Sequence, residues 1–209
     1  MHYALVFYPT VDRVLIDDIR RRHDPTVDVI EPHVTVLFPV PDRIGEEDLV
    51  AHIDGALRGH TPFEVRLGGF HRSPDHWLFL ILQKGNRAAK KLHSALYTGL
   101  LAEFRRDDLE FIPHLGLGLF LKKGATYNWN EPRTSDIDLE SCQTVQREVE
   151  ARGAGWSSVV DSLHLVGIPD EVLEWATGRR QSFPRTSRPK EVHQFHLRAG
   201  SSPESTVCL

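Results

Sequence analysis

Two segments of the chain alternate between apolar and polar positions in the same way, and both carry the pair Pro-His near their start. They are residues 31–38 (EPHVTVLF) and residues 112–119 (IPHLGLGL). A period of two over such a length predicts a β-strand with one buried face, on which residues i and i+2 point the same way. The sparser, more polar face then carries His33, Thr35 and Leu37 in the first strand and His114, Gly116 and Gly118 in the second. We expect the two histidines to form an acid/base pair if the two strands lie side by side.

The remaining pattern mixes strands and helices along the chain. The hydrophobic spacing predicts strands over residues 3–8, 63–70, 77–83, 158–168 and 191–198. It predicts helices over residues 11–22, 46–57, 86–104 and 139–151, and a short helical turn over 171–176. Asn86 is the expected N-cap of the third helix, and the last strand is expected to pair with strand 158–168. Because some strands follow each other directly, the pattern favours an α+β fold over a doubly wound sheet.

Length, composition and net charge limit the kinds of protein that this chain can be. The chain has 209 residues, of which 40% are apolar and 26% are charged, as in a soluble globular protein with one sizeable domain or two small lobes. We therefore predict one domain over residues 1–199 and a disordered tail over residues 200–209. The formal net charge of -4 argues against a protein that coats long nucleic acid by bulk electrostatics, although a local basic site stays possible.

Cysteine usage and hydropathy indicate the compartment. Cys142 and Cys208 form neither a disulfide framework nor a C-x-x-C pattern, which fits a reducing cytosol. Residues 2–8 are apolar but short and lack a basic flank, so they predict a strand and not a signal peptide. No apolar run reaches the ~18 residues that a membrane span needs. We expect a cytoplasmic monomer with no membrane contact.

Histidine chemistry is the main functional signal. Imidazole exchanges protons near neutral pH, so a pair of histidines can supply both a general acid and a general base. Metal sites usually add carboxylates or cysteines at ligand spacing, and the sequence contains no H-E-x-x-H or equivalent motif, so we expect neither a metal nor a cofactor. His164 is open between a structural role and a place beside the groove. The other histidines have no matching context and are interpreted as surface residues: His2, His23, His52, His60, His71, His76, His93, His193 and His196.

The two Pro-His strands lie about 80 residues apart, and each is preceded by a helical segment, which indicates an internal duplication. They resemble the tandem His-x-(Thr/Ser) motifs of the two-histidine phosphoesterase superfamily. That superfamily includes the RNA 2′,3′-cyclic phosphodiesterases, also called 2′-5′ RNA ligase-like proteins. The resemblance covers roughly residues 1–168. The first motif, His33-Val34-Thr35, matches fully, whereas the second, His114-Leu115-Gly116, has glycine in place of the hydroxyl residue.

The resemblance implies a fold and a set of roles. The fold is a single bilobal α+β domain with two pseudo-symmetric lobes, antiparallel sheets around a central groove and helices outside. His33 is then the general acid and His114 the general base, with the roles exchanged in the ligation direction. Thr35 donates a hydrogen bond to a phosphoryl oxygen, which Gly116 cannot do. The substrate is the 2′,3′-cyclic phosphate of an RNA end or a nucleotide, opened without a metal.

Several alternatives stay open. The glycine at position 116 supports a second function class, a non-catalytic module that binds RNA or nucleotide phosphates. A hydrogen bond to a charged group is worth about 1.5–3 kcal/mol, but a water or a backbone N–H could replace the missing hydroxyl. The aromatic residues that could stack on a base or pack in the core or a loop are Trp77, Tyr127 and Trp129. The arginines of segment 178–189 that could grip RNA or belong to a solvated loop are Arg179, Arg180, Arg185 and Arg188.

Overall fold

The computed structural model describes residues 1–28, 30–125, 127, 133–153, 155–176 and 188–198. Three sequence predictions fall outside these residues: the disordered tail over 200–209, the stacking role of Trp129, and the roles of Arg179, Arg180 and Arg185. None of the helices within the described ranges is long and apolar enough to cross a membrane.

The described residues form eight strands and five α-helices, which follow each other in a mixed order. The strands are β1 (His2–Phe7), β2 (Val34–Pro41), β3 (Phe63–Arg72), β4 (Trp77–Lys84), β5 (His114–Leu119), β6 (Ser157–Val160), β7 (Ser162–Ile168) and β8 (Lys190–His196). The helices are α1 (Arg13–His23), α2 (Glu46–Leu57), α3 (Asn86–Leu96), α4 (Leu139–Ala151) and α5 (Asp170–Ala176). The predicted helices over 46–57 and 139–151 match α2 and α4.

Three boundary predictions were wrong. The helix predicted over 86–104 ends at Leu96, and a 3₁₀ helix over Gly99–Phe104 follows it. The N-cap of α3 is Gly85 in a left-handed conformation, and not Asn86, which is the first helical residue. The strand predicted over 158–168 is interrupted at Asp161, so that β6 and β7 belong to different parts of the sheet.

All eight strands form one curled antiparallel sheet in the order β6-β3-β4-β5-β2-β1-β7-β8. The predicted single α+β domain is confirmed, with four strands in each half. The halves meet where β2 pairs with β5, with Val34 opposite Leu115, so the expected sheets of the two lobes are continuous. The predicted pairing of the last strand is also confirmed, because β8 pairs with β7.

Each helix that precedes a histidine strand packs against the histidine strand of the other half. Helix α1 packs on β5 and α3 packs on β2. His93 of α3 donates from Nδ1 to the Val36 carbonyl at 2.9 Å, and His23 of α1 stacks on Phe120 at 4.3 Å. His23 and His93 are therefore packing residues, and His76 is 4% exposed, which corrects their interpretation as surface residues.

Irregular register in the two histidine strands changes which residues share a face. The β1–β2 register shifts around Leu37, and a shift between Leu78 and Phe79 of β4 lies opposite β5. As a result Leu37 is fully buried in the main core while Phe38 lines the groove described below. Gly118 lies against the end of α1 and does not share the groove face of His114. Simple alternation fails beyond Thr35 and Gly116, since a bulge shifts the side-chain phase by one residue.

The main core lies between one face of the sheet and the helices α1, α2, α3 and α4. Strand β1 shows how the faces divide, because Tyr3, Leu5 and Phe7 join this core. Ala4 and Val6 point to the other face, where they pack in a second apolar cluster with residues of β7 and α5.

We predict that Gly118→Ala destabilises the protein and that Gly55→Ala does not. Gly118 has φ +155°, and a Cβ there would lie 2.5 Å from the Cβ of His23, so α1 must shift to accommodate it. Overpacking of this kind costs about 1–3 kcal/mol. Gly55 in α2 has no atom within 4 Å of an added Cβ, so alanine should raise the free energy of unfolding by up to ~1 kcal/mol. Urea unfolding of both variants measures this, and equal stability of Gly118→Ala and wild type would contradict it.

Candidate active site

A groove of about 660 Å³ lies on the face of the sheet that is opposite to the main core. Thr35 of β2 and His33, which directly precedes β2, line one side of this groove. His114 and Gly116 of β5 line the other side of the same strand pair. The antiparallel register of Val34 and Leu115 sets His33 beside Gly116 and Thr35 beside His114. The structure thus brings together all four site residues that the sequence predicts, and each histidine adjoins the second motif position of the other strand.

Both histidine rings are held by a hydrogen bond to the backbone carbonyl two residues earlier in the chain. Nδ1 of His33 lies 2.7 Å from the Glu31 carbonyl, and Nδ1 of His114 lies 2.5 Å from the Ile112 carbonyl. Because a carbonyl oxygen only accepts, Nδ1 carries the hydrogen in each ring. The proline between carbonyl and histidine restricts the backbone of this short turn. Nε2 is therefore the ring nitrogen left in each histidine to give or take a proton.

Burial lowers the pKa of both histidines below the ordinary value. The carbonyl of Glu31 partly offsets this for the pKa of His33, which Arg20 lowers further and Asp24 raises. For His114 the carbonyl of Ile112 again partly offsets the lowered pKa, and a positive charge on His33 lowers that pKa further. Since each protonation disfavours the next, the pair favours states in which one ring at most is charged.

Aromatic residues of β4 form one wall of the groove. Phe79 stacks on His114 with ring centroids 3.8 Å apart, and Trp77 lies beside it at 6.5 Å. Trp77 Nε1 donates to the hydroxyl of Tyr127 at 3.4 Å, and that hydroxyl donates to Asp75 at 3.2 Å. Burial raises the pKa of Tyr127 to about 12, so this hydroxyl keeps its hydrogen at neutral pH.

Trp77 and Tyr127 were candidates from the sequence, whereas Phe79, which contacts His114 directly, was not. A signal for Phe79 was present in the alternation of β4, where Trp77 and Phe79 alternate with the fully buried Leu78 and Leu80. Two aromatic residues at i and i+2 share a strand face, so the wall follows from the pairing of β4 with β5.

The other end of the groove is aliphatic and also contains a buried ion pair. Val166 and Ile168 of β7 line this end, so β7 borders the groove. His164 of the same strand is bound through Nδ1 to Glu191 of β8 at 2.6 Å. The ion pair joins Arg20 to Asp24 at the end of α1, and both residues are buried, which the hydrophobic pattern does not predict.

Arg188, the described arginine of segment 178–189, is exposed. Within the described ranges, no group of three or more His, Cys, Asp or Glu side chains is placed to hold a metal ion.

Comparison with known proteins decides the family. The model of the 2′-5′ RNA ligase superfamily matches residues 8–166. The chain belongs to this superfamily. The resemblance drawn from its two Pro-His strands is confirmed, and phosphoesterase chemistry is the activity that the superfamily suggests.

Relatives and solved structures agree with this assignment. A protein of Geobacillus thermodenitrificans that carries the name phosphoesterase is 25% identical over 130 residues, or 61% of this chain and 73% of that protein. A Bacillus licheniformis protein named in the same way is 21% identical over 171 residues, covering 79% and 89% of the two chains. The crystal structure of E. coli LigT complexed with 3′-AMP has a TM-score of 0.55 at 15% identity, over 94% of this chain and 97% of LigT. The E. coli LigT complex with NADP⁺ has a TM-score of 0.52 at 17% identity, over the same shares, and at such identities the likeness shows the fold alone.

We predict that the pKa of both imidazoles lies below the ~6.5 of a free histidine, because burial disfavours the charged ring. A general acid must be protonated and a general base neutral, so activity should fall on both sides of an optimum that lies below ~6.5. Replacing His33 by glutamine should raise the pKa of His114, since a neighbouring positive charge is lost. NMR titration of the ring protons measures this, with the exposed His196→Gln as control. An unchanged pKa of His114 would show that the two rings are not coupled.

Proposed function

We propose that this protein is a metal-independent cyclic phosphodiesterase that opens the 2′,3′-cyclic phosphate of an RNA end or a nucleotide. The observation that supports this proposal is the pair of histidines in one groove, each held at Nδ1 by a carbonyl and left with Nε2 for proton transfer. The nucleotide complexes of E. coli LigT, which shares the fold, support nucleotides as the substrate class.

The reaction needs one proton accepted and one donated. His114 removes a proton from water, whose oxygen bonds to phosphorus. The bond from phosphorus to one sugar oxygen breaks, and His33 gives its proton to that oxygen. The products are a phosphomonoester and a free sugar hydroxyl, and the proton taken by His114 returns to His33 through solvent. In each ring the carbonyl at Nδ1 stabilises the charged form, so Nε2 can carry the proton until it is transferred.

The phosphate contacts are unequal in the two halves. Thr35 supplies a hydroxyl beside His114, whereas Gly116 supplies no side chain beside His33. The same glycine favours the second candidate function, a module that binds nucleotide phosphates without turnover. Turnover separates the two candidates directly. A monomeric, cytoplasmic protein fits either candidate and stays a prediction from the sequence.

The experiment is hydrolysis of a nucleoside 2′,3′-cyclic phosphate by the purified protein in excess chelator. We expect a nucleoside monophosphate as product at an unchanged rate, because the two histidines supply both proton transfers. Loss of activity in chelator that zinc or manganese restores would overturn the mechanism. Binding of the substrate without any product would favour the binding module.

We expect His33→Ala and His114→Ala each to lower kcat by about 10²–10⁴-fold, the usual worth of acid/base catalysis. The double variant should be scarcely worse than the poorer single variant, because the two residues act as one unit. His196→Ala on the exposed side of β8 is the matched control and should keep wild-type turnover. Near-wild-type turnover by either single variant would remove that histidine from the reaction.

We expect Thr35→Ala to lower kcat/KM by about 10- to 100-fold, since no second hydroxyl remains to hold the phosphate. Gly116→Thr should keep or raise kcat/KM. An added Cβ at position 116 meets Trp77 Cζ3 at 4.0 Å, which is an ordinary contact, and β-branched residues suit a strand. Abolished activity in a folded Gly116→Thr protein would mean that the bare glycine surface is itself needed by the substrate.

A further inference from the structure

Arg20 places a buried guanidinium at the wall of the groove. The residue is 3% exposed and lines the groove near His33. Its Nε donates to Asp24 at 2.8 Å, and its Nη2 donates to the Ile30 carbonyl at 2.5 Å. A guanidinium has five N–H donors. Among the residues that the structure describes, none accepts a hydrogen bond from Nη1. The Nη1 hydrogens of this buried cation can therefore be donated to a ligand.

Asp24 holds this cation without using its terminal edge. The carboxylate meets Arg20 at Nε through one oxygen, while its other oxygen accepts from the backbone and hydroxyl of Thr26 at 2.7 and 2.6 Å. The contact is therefore single and lateral, and not the two-point fork in which a carboxylate covers both ends of a guanidinium. Nη2 is engaged by the Ile30 carbonyl, so Nη1 is the end of the guanidinium that can donate to a phosphate oxygen.

The position of this edge matches the gap in the phosphate contacts. Ile30, which binds Nη2, precedes Glu31, whose carbonyl holds His33. Arg20 is close enough to His33 to lower its pKa. Gly116, the motif position without a hydroxyl, lies beside the same histidine. In the half of the groove with His33 and Gly116, the strand offers no side-chain donor to a phosphate. The buried Arg20 lies next to this same half.

We propose that Arg20 is the anion-binding residue of the groove and donates Nη1 to a phosphate oxygen of the substrate on the His33 side. The inference rests on the phosphate substrate of the proposed function. Its test measures binding, so it can fail or succeed separately from turnover.

A structural role for Arg20 leads to the opposite expectation for one variant. If Arg20 only fastens the loop that carries His33, Asp24→Asn loosens that loop and weakens phosphate binding. If Arg20 binds phosphate, Asp24→Asn removes a negative charge that partly neutralises the guanidinium and repels an anion in the groove, and binding becomes tighter. The sign of the change therefore separates the two roles.

The experiment measures the affinity for inorganic phosphate by calorimetry, together with the rise in Tm that phosphate causes. We expect Asp24→Asn to bind phosphate more tightly than wild type, with a larger rise in Tm. Arg20→Gln/Asp24→Asn should bind about 10- to 100-fold more weakly. Arg22→Gln is the matched control, because Arg22 lies on the same helix but is exposed and paired with Glu148. It should bind phosphate as wild type does.

The double variant keeps the test decisive if Asp24→Asn does not fold with an unpaired buried cation. Replacing both members of a buried ion pair is often close to neutral for stability, whereas removing one member is not. Affinity of the folded double variant within twofold of wild type would overturn the proposal. Weaker phosphate binding by a folded Asp24→Asn would likewise assign Arg20 a structural role.

Two further probes identify which phosphate Arg20 takes. They are a nucleoside 2′,3′-cyclic phosphate with and without a 5′-phosphate. Equal losses of affinity for both probes in the double variant assign Arg20 to the cyclic phosphate, and a loss confined to the 5′-phosphorylated probe assigns it to the second phosphate. No loss for either probe overturns the proposal. Arg20-dependent binding without turnover would refute the proposed function and leave the anion site standing.

Discussion

The short contact between β2 and β5 is the constraint on which the site depends. One register pair, Val34 with Leu115, joins the two halves of the sheet and sets the two histidine motifs in antiparallel order. Each histidine then meets the second motif position of the opposite strand. A shift by one residue would turn one motif toward the core, since successive residues of a strand face opposite sides. The packing of α1 on β5 and of α3 on β2 supports this register in both halves of the sheet.

The chemistry of the groove follows from repeating one local turn twice. A carbonyl, a proline and a histidine form the same arrangement at the start of both strands, with Nδ1 bound in each case. The surroundings then make the two copies unequal. Phe79 stacks on His114, while Arg20 and Asp24 lie near His33. Two equivalent histidines thereby acquire different environments, which is the condition for one to act as acid while the other acts as base.

The sequence was sufficient for the features that have a period, and insufficient for those that depend on distant contacts. Alternation predicted the strand faces of His33, Thr35, His114 and Gly116, and all four line one groove, because each lies before the irregular part of its strand. It misplaced Leu37 and Gly118, since register shifts are set by the partner strand. Likewise, the run Arg20-Arg21-Arg22 has the composition of a solvated helix end, and only the loop with Thr26 and Ile30 buries its first member.

The return of β7 to β1 has a consequence for the order in which the protein folds. His2 pairs with Ile168, so the aliphatic end of the groove joins the first strand of the chain to one of the last. Contacts between such distant residues form slowly, because a long loop must close before they contribute. On the ribosome, the pairing of β1 with β7 has to wait until β7 has been synthesised, although β2 can pair with β1 earlier. A nascent chain that already holds both histidines therefore still lacks one wall of its groove, and the groove is completed only late in synthesis.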